Sequence, residues 1–276
     1  MVSGPSGPGD TIFRIMQVRP ATLFASVLLL FVPRVAPATT IVGIWTPKKI
    51  TTASDSRATL SNAAGVYTGS QTVCKIQEAH GLVFALSGSA ADEGISVIEG
   101  IKTSMLIHDQ ATGKIDLLAT LVAGAQSTIT KVLLAHHVAR NPTVPIQLLI
   151  AGMIDGKLQM VRIDETGMEI AGNVSLMNST RMIQYPEDRG YKGSDPNRGV
   201  EILGINDTAE RFRKLLPEWN MGDDVAVATR LVAVEASDTK ASQFVGPPIS
   251  TIEIDKKGVR WVDKGACDWI PERPSK

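Results

Sequence analysis

Cysteine is scarce in this 276-residue chain, which has two, Cys74 and Cys267. Two thiols cannot hold a zinc ion by themselves and define no disulfide framework. They either bridge in an oxidising compartment or stay as two free buried thiols, and the free pair is the expectation. Net charge is missing as well, with 28 Lys and Arg against 28 Asp and Glu. No block of like charge occurs, which argues against nucleic acid or any other polyanionic partner. No repeat of solenoid period is visible. There is no G-x-S-x-G elbow, so Ser87 and Ser89 supply no serine-hydrolase triad. His136-His137 come with no third ligand at metal spacing, and neither a metal nor another cofactor is expected. The chain does have 43% apolar residues, enough to bury a full core in one domain.

Residues 1–15 are rich in Gly, Ser and Pro and read as a disordered start. From Met16 the chain runs Met-Gln-Val-Arg-Pro, then an apolar stretch from Ala21 to Val32, then Pro33-Arg34-Val35-Ala36-Pro37-Ala38. That is a basic n-region, an h-region and an Ala-x-Ala cleavage site. The apolar stretch is too short to span a bilayer as a permanent helix. The reading is a signal peptide removed after Ala38. It implies a periplasmic or secreted product, free of the membrane once processed, with one folded domain over residues 39–276.

Cleavage after Ala38 makes Thr39 the first residue. A threonine with a free α-amine carries a nucleophilic hydroxyl and a weak base on one residue, which activates the hydroxyl without a histidine. The amine has a reference pKa of about 7.7–8.0, so near neutral pH it can accept the hydroxyl proton. Predicted cut and predicted nucleophile fall on the same peptide bond.

The following residues alternate as strands do. Thr40–Thr46 and Ile50–Ala53 are apolar and β-branched around the turn Pro47-Lys48-Lys49, and form a hairpin. Leu60–Gly69 reads as a polar loop, followed by strands at Thr72–Ile76 and Leu82–Leu86. Ala91, Ile95, Ile98, Ile101 and Met105 then recur three or four apart, which predicts a helix from Ala90. Leu118, Val122, Ala125, Ile129 and Val132 predict a second helix to about Ala139. Pro145–Met153 and Lys157–Ile163 flank Asp155-Gly156, a strong hairpin signal. A further strand is expected around Glu169–Met177, and a long polar loop over Tyr185–Gly199. Asp207–Leu216 and Asp223–Ala236 read as helices, the second with acidic residues at its start. Pro248–Ile254 and Val259–Val262 close the domain as a hairpin. The order of strands, two helices, strands, two helices and strands is that of an α+β fold. Two sheets packed face to face, with a helix pair on each outer side, satisfy it.

The opening Thr39-Thr40-Ile41-Val42-Gly43, followed by Asp55-Ser56-Arg57-Ala58-Thr59, resembles the N-terminus of proteasome β-subunits. These are N-terminal nucleophile (Ntn) hydrolases, and the spacing from Thr39 to Asp55 matches theirs without a gap. The resemblance is close over Thr39–Asp92 and again at Val245–Ile249 and Asp255–Trp261. It implies the four-layer α-β-β-α sandwich of that family. It implies catalysis by Thr39, with Lys75, in Ser70-Gln71-Thr72-Val73-Cys74-Lys75-Ile76, as the lysine beside the amine and Asp55 as that lysine's partner. The Gly88 N–H, in a Gly-rich turn at the start of the first helix, would meet the oxyanion. Thr59 would offer main-chain groups to an extended peptide, and Ala58, Val73, Leu86 and Ala90 would line an apolar specificity pocket. The sequence departs from the family in having no Gly-Ser-Gly on a later strand, with Asp238 and Ser242 as candidates for its later Asp–Ser pair.

The implied activity is hydrolysis of peptide or other small amide substrates through a threonine acyl-enzyme. The alternative is a catalytically silent structural or assembly subunit. A homo-oligomer is the expected assembly in either case.

Overall fold

The period-two run after Thr39 folds as a strand buried on both faces. In strand β1 (Thr40–Trp45), Ile41 and Trp45 point one way, Val42 and Ile44 the other, and all four are buried. A strand covered on both sides reads as a continuous apolar stretch. The computed structural model describes residues 39–61, 67–88, 91–92, 95–111, 115–139, 146–165, 181–186, 197–205, 207–215 and 223–268. All of them lie in the second of the chain's two units, Val35–Lys276.

The described strands are, besides β1, β2 (Lys49–Ser54), β3 (Arg57–Ser61), β4 (Tyr67–Thr72), β5 (Ile76–Ala79), β6 (Leu82–Ser87), β7 (Ala91–Asp92), β8 (Ile95–Ser96), β9 (Ile146–Ile154), β10 (Lys157–Glu165), β11 (Arg181–Tyr185), β12 (Gly199–Gly204), β13 (Ser250–Asp255) and β14 (Gly258–Asp263). The helices are α1 (Val97–Gln110), α2 (Leu117–Ala139), α3 (Asp207–Leu215) and α4 (Asp224–Ser237), with a final 3-10 turn at Gly265–Asp268. One sheet runs β12-β1-β2-β13-β14 and another β11-β10-β9-β6-β5, and β3-β4 and β7-β8 form small ladders.

Three apolar clusters account for the packing. Leu82, Phe84 and Leu86 of β6 meet Ile101 and Met105 of α1 and Leu121, Ala125 and Ile129 of α2. Val83 and Ala85, on the other face of β6, join Leu149, Met160, Ile41, Ile50 and Ile252. That cluster mixes residues of both five-stranded sheets. Gly43 lets them approach, since a Cβ there would lie 2.8 Å from Leu149 and 2.9 Å from Met160. Val42, Ile44 and Ile202 meet Ala209 of α3 and Ala228, Leu231 and Val232 of α4.

Several sequence expectations are corrected. The first helix begins at Val97 and not at Ala90, because Ser96 caps it: its hydroxyl accepts the Glu99 N–H, and Ser96 and Glu99 stand at capping-box spacing. Ala91 and Ile95 lie in the β7-β8 ladder, and their helical spacing is fortuitous. The expected loop Leu60–Gly69 is in part the β3-β4 ladder. The strand expected at Thr72–Ile76 is displaced, with β4 ending at Thr72, β5 starting at Ile76, and residues 73–75 in neither. Strands β11 and β12 bound the region read as a loop after Tyr185. The strand expected at Glu169–Met177 lies outside the described residues. Cys74 and Cys267 are bridged, with Cα atoms 4.7 Å apart, and are not two free thiols. A separation of 193 residues set no constraint on their distance, and the fold brings them together.

Candidate active site

The hairpin β1-β2 sets the site, because its register pairs Ile41 with Ser54 and so returns Asp55 to the start of β1. Asp55 is buried at 1% exposure. Its Oδ1 accepts the Thr40 N–H at 2.8 Å and Lys75 Nζ at 2.9 Å. Its Oδ2 accepts Lys75 Nζ and the Arg57 N–H, both at 3.0 Å, and the Gly246 N–H at 3.3 Å. Lys75 Nζ also donates to the Arg57 carbonyl at 2.5 Å. A buried carboxylate and ammonium are tolerable only when paired and hydrogen-bonded in this way.

Burial governs the titration of both groups. It raises the Asp55 carboxyl above its ordinary value, opposed by Lys75 and by the N–H donors. Burial likewise lowers Lys75 to about 8, opposed by Asp55, with the Arg57 charge lowering it further. A buried ammonium with a lowered pKa, facing an acid and a second cation, is a candidate functional group.

Thr39 is itself buried, and its carbonyl accepts the Ile205 N–H at 2.8 Å. Thr40 Oγ1 donates to the Ile205 carbonyl at 2.5 Å. Gly204 pairs with Thr40 across the β1-β12 ladder at φ +83°, and a Cβ on it would overlap the Thr39 carbonyl oxygen. Only glycine tolerates both the conformation and the approach. The same point lies 2.8 Å from the hydroxyl of Ser87, which is fully buried and has no hydrogen-bond partner among the described residues.

The remaining expected residues fall on several elements. Ala58 and Thr59 are half-buried in β3. Val73, also half-buried, donates its N–H to the Ser56 carbonyl at 2.8 Å, which brings it beside that strand. Leu86 donates its N–H to the Lys75 carbonyl at 3.4 Å, and its side chain packs in the cluster with α1 and α2. Gly88 has φ +99° and lies nine positions before α1, so its N–H is not at the start of that helix. Ala90 lies outside the described residues. Asp238 is engaged locally, accepting from Thr208 Oγ1 and from the Lys240 and Ala241 N–H groups. The Ser242 carbonyl accepts from Arg57.

Sequence reading missed Gly204, Ile205 and Gly246 as parts of the site. Gly246 stood in the Val-Gly-Pro-Pro run that carried the resemblance, but nothing there pointed to an N–H on Asp55. Gly204 and Ile205 carried no signal, since the strand before them was not foreseen.

No protein-family model matches the chain, and no curated protein matches it in sequence. Solved structures do. Eukaryotic HslV from Trypanosoma brucei is 13% identical with a TM-score of 0.46, over 78% of this chain and 99% of that one. Anbu from Hyphomicrobium sp. strain MC1 is 15% identical with a TM-score of 0.46, over 81% of this chain and 84% of that one. Anbu from Yersinia bercovieri, termed an ancestral beta-subunit, is 14% identical with a TM-score of 0.49, over 82% and 88%. The solved structures similar to this chain therefore include HslV and Anbu proteins.

Proposed function

We propose that the chain is an exported threonine-nucleophile hydrolase of the proteasome-β-like Ntn type, processed between Ala38 and Thr39 and cleaving peptide or other amide bonds. One observation carries the reading. Asp55 Oδ1 receives both Lys75 Nζ and the N–H of Thr40, so a buried ion pair abuts the residue directly after the nucleophile. The three apolar clusters support the four-layer α-β-β-α sandwich. The disulfide fits an oxidising compartment and so supports export.

In this reading the Thr39 hydroxyl oxygen attacks the substrate carbonyl and passes its proton to the Thr39 α-amine. The carbonyl oxygen takes up the electron pair and is met by the Gly88 N–H, since a preorganised backbone donor stabilises developing charge. The C–N bond then breaks, and the leaving amine takes the proton from the α-amine. Water attacks the Thr39 ester by the same proton path and releases the acid. Lys75 disfavours protonation of the nearby amine, and Asp55 fixes and neutralises Lys75. Thr59 offers main-chain groups to the substrate, with Ala58, Val73 and Leu86 contributing to an apolar pocket.

The test is N-terminal sequencing of the exported protein, followed by intact-mass analysis after treatment with a peptide epoxyketone. That electrophile needs the hydroxyl and the free amine together. One adduct on a chain beginning at Thr39 supports the reading. A chain beginning at Thr39 that forms no adduct and turns over no peptide amide defeats it. A silent assembly subunit is then left, and one observation favours that second reading: the Asp238 carboxylate accepts from Thr208, Lys240 and Ala241, all within its own neighbourhood.

A further inference from the structure

The Asp55–Lys75 pair joins two different sheets. Asp55 follows β2, an interior strand of one sheet, and Lys75 precedes β5, an edge strand of the other. Residues 73–75 belong to no strand. Two backbone bonds help hold them, Val73 N–H to the Ser56 carbonyl at 2.8 Å and Leu86 N–H to the Lys75 carbonyl at 3.4 Å. The second is long for an N–H···O bond.

The residue before Lys75 is Cys74, bridged to Cys267 in the final 3-10 turn. That turn is seated on β13: Ser250 Oγ donates to the Lys264 carbonyl at 2.8 Å, and a Cβ on Gly265 would lie 2.9 Å from the Ile249 carbonyl oxygen. Strand β13 in turn pairs with β2, with Ser250 opposite Ser54, the residue before Asp55. A path of one disulfide, one short turn and one strand pairing therefore leads from Lys75 back to Asp55.

We propose that the Cys74–Cys267 disulfide is a positioning element for Lys75, tying the lysine-bearing edge of one sheet to the Asp55-bearing strand of the other, so that reduction unseats the lysine and disables the site. The positional claim stands on the geometry alone, and its catalytic consequence rests on the hydrolase reading. Asp55 draws the Lys75 ammonium in and Arg57 repels it, and in the processed chain the Thr39 α-amine is a further charged group on this side. With its side chain at 6% exposure, Lys75 has little water to replace the carboxylate. Released toward solvent, it regains the hydration that burial denies it and titrates higher.

The experiment compares the oxidised protein, the protein reduced with a phosphine, and C74S/C267S. Competition labelling with acetic anhydride, read by mass spectrometry between about pH 6 and 11, reports the protonation of each lysine. Far-UV circular dichroism monitors the fold. In the oxidised protein Lys75 should be half-labelled near pH 8. Reduction and the double substitution should each move that midpoint up by roughly one unit or more, leave the exposed Lys157 unchanged, and lower amide hydrolysis at least about tenfold. Reoxidation should restore the first midpoint. An unmoved Lys75 midpoint in a reduced, folded protein overturns the proposal. Loss of the far-UV signal on reduction also overturns it, since the bridge is then a general staple. A moved midpoint in a protein that hydrolyses nothing in either redox state leaves the proposal standing and defeats the hydrolase reading.

Discussion

Asp55 grips Lys75 with both carboxylate oxygens, at 2.9 and 3.0 Å, in a place where neither side chain is open to water. The strength of such a pair lies in what happens when half of it is removed. The partner left behind is an uncompensated charge, which costs far more than the intact pair contributes.

Asp55→Asn should therefore destabilise the fold by about 3–5 kcal/mol, and Asp55→Asn combined with Lys75→Met should recover part of that loss. Urea unfolding of the three proteins checks it. Equal stability of Asp55→Asn and the parent would mean that the pair is hydrated and loose.

The pH dependence has a definite sign. Burial holds Lys75 at about 8, below the ordinary lysine value. Between about pH 8 and the ordinary lysine range the unfolded chain binds the extra proton, so stability rises with pH across that window. Asp55, whose carboxyl is raised, has the opposite sign: the folded chain holds the extra proton, and stability falls as pH climbs from the ordinary carboxylate value through the raised one. The urea midpoint should increase above about pH 8 in the parent and stay flat in Lys75→Met. The rate of amide hydrolysis should show an alkaline limb near pH 8, where Lys75 loses its charge.

Lys75→Ala should slow acylation by roughly 10²–10⁴-fold, the usual contribution of a general-base step. Lys75→Arg should restore only part, because a planar guanidinium delivers its charge at a different point from an ammonium. Stopped-flow acylation with an activated amide separates the two. Full rescue by arginine would show that charge alone matters.

Gly204→Ala should displace Thr39. The added methyl has no room beside the Thr39 carbonyl, and the backbone conformation at φ +83° penalises any side chain. A loss of about 1–3 kcal/mol is expected from overpacking, with some strain added. Epoxyketone labelling of Thr39 should fall by a larger factor than thermal stability accounts for. Unchanged labelling would place the flexibility in Thr39 itself.

Thr39→Ala should still be cut after Ala38 when exported, since a signal peptidase reads the Ala-x-Ala site and not the nucleophile. Intact mass of the exported variant decides it. Retention of residues 16–38 would show that Thr39 performs the cut.

Much of this arrangement could be read from residues in sequence order. The hairpin that returns Asp55 to Thr40 is legible because its β-branched residues alternate around a plain turn, whereas its register is set by the folded pairing of Ile41 with Ser54. Lys75 was legible only through its family-like surroundings, for no local pattern says that a lysine there faces a carboxylate. Strand β12 was hidden by Glu201, which looks like a solvent-facing residue. It is in fact buried, receiving Arg162 Nη1 at 2.9 Å and the Tyr185 hydroxyl at 3.0 Å. Without β12, the roles of Gly204 and Ile205 could not be foreseen. The disulfide was illegible for a different reason, since only the folded chain brings positions 74 and 267 together.

The Gly246 N–H that completes Asp55 comes from 191 residues further along the chain, and β2 has β13 as one of its two neighbours. The carboxylate therefore has no finished surroundings until Gly246 and β13 have been made. A chain still emerging from the ribosome, or still being threaded through a translocon, carries the hydroxyl and the lysine but not the cage that orients them. On the proposed reading, the order of synthesis keeps the site incomplete until the hairpin of β13 and β14 has closed beside β2.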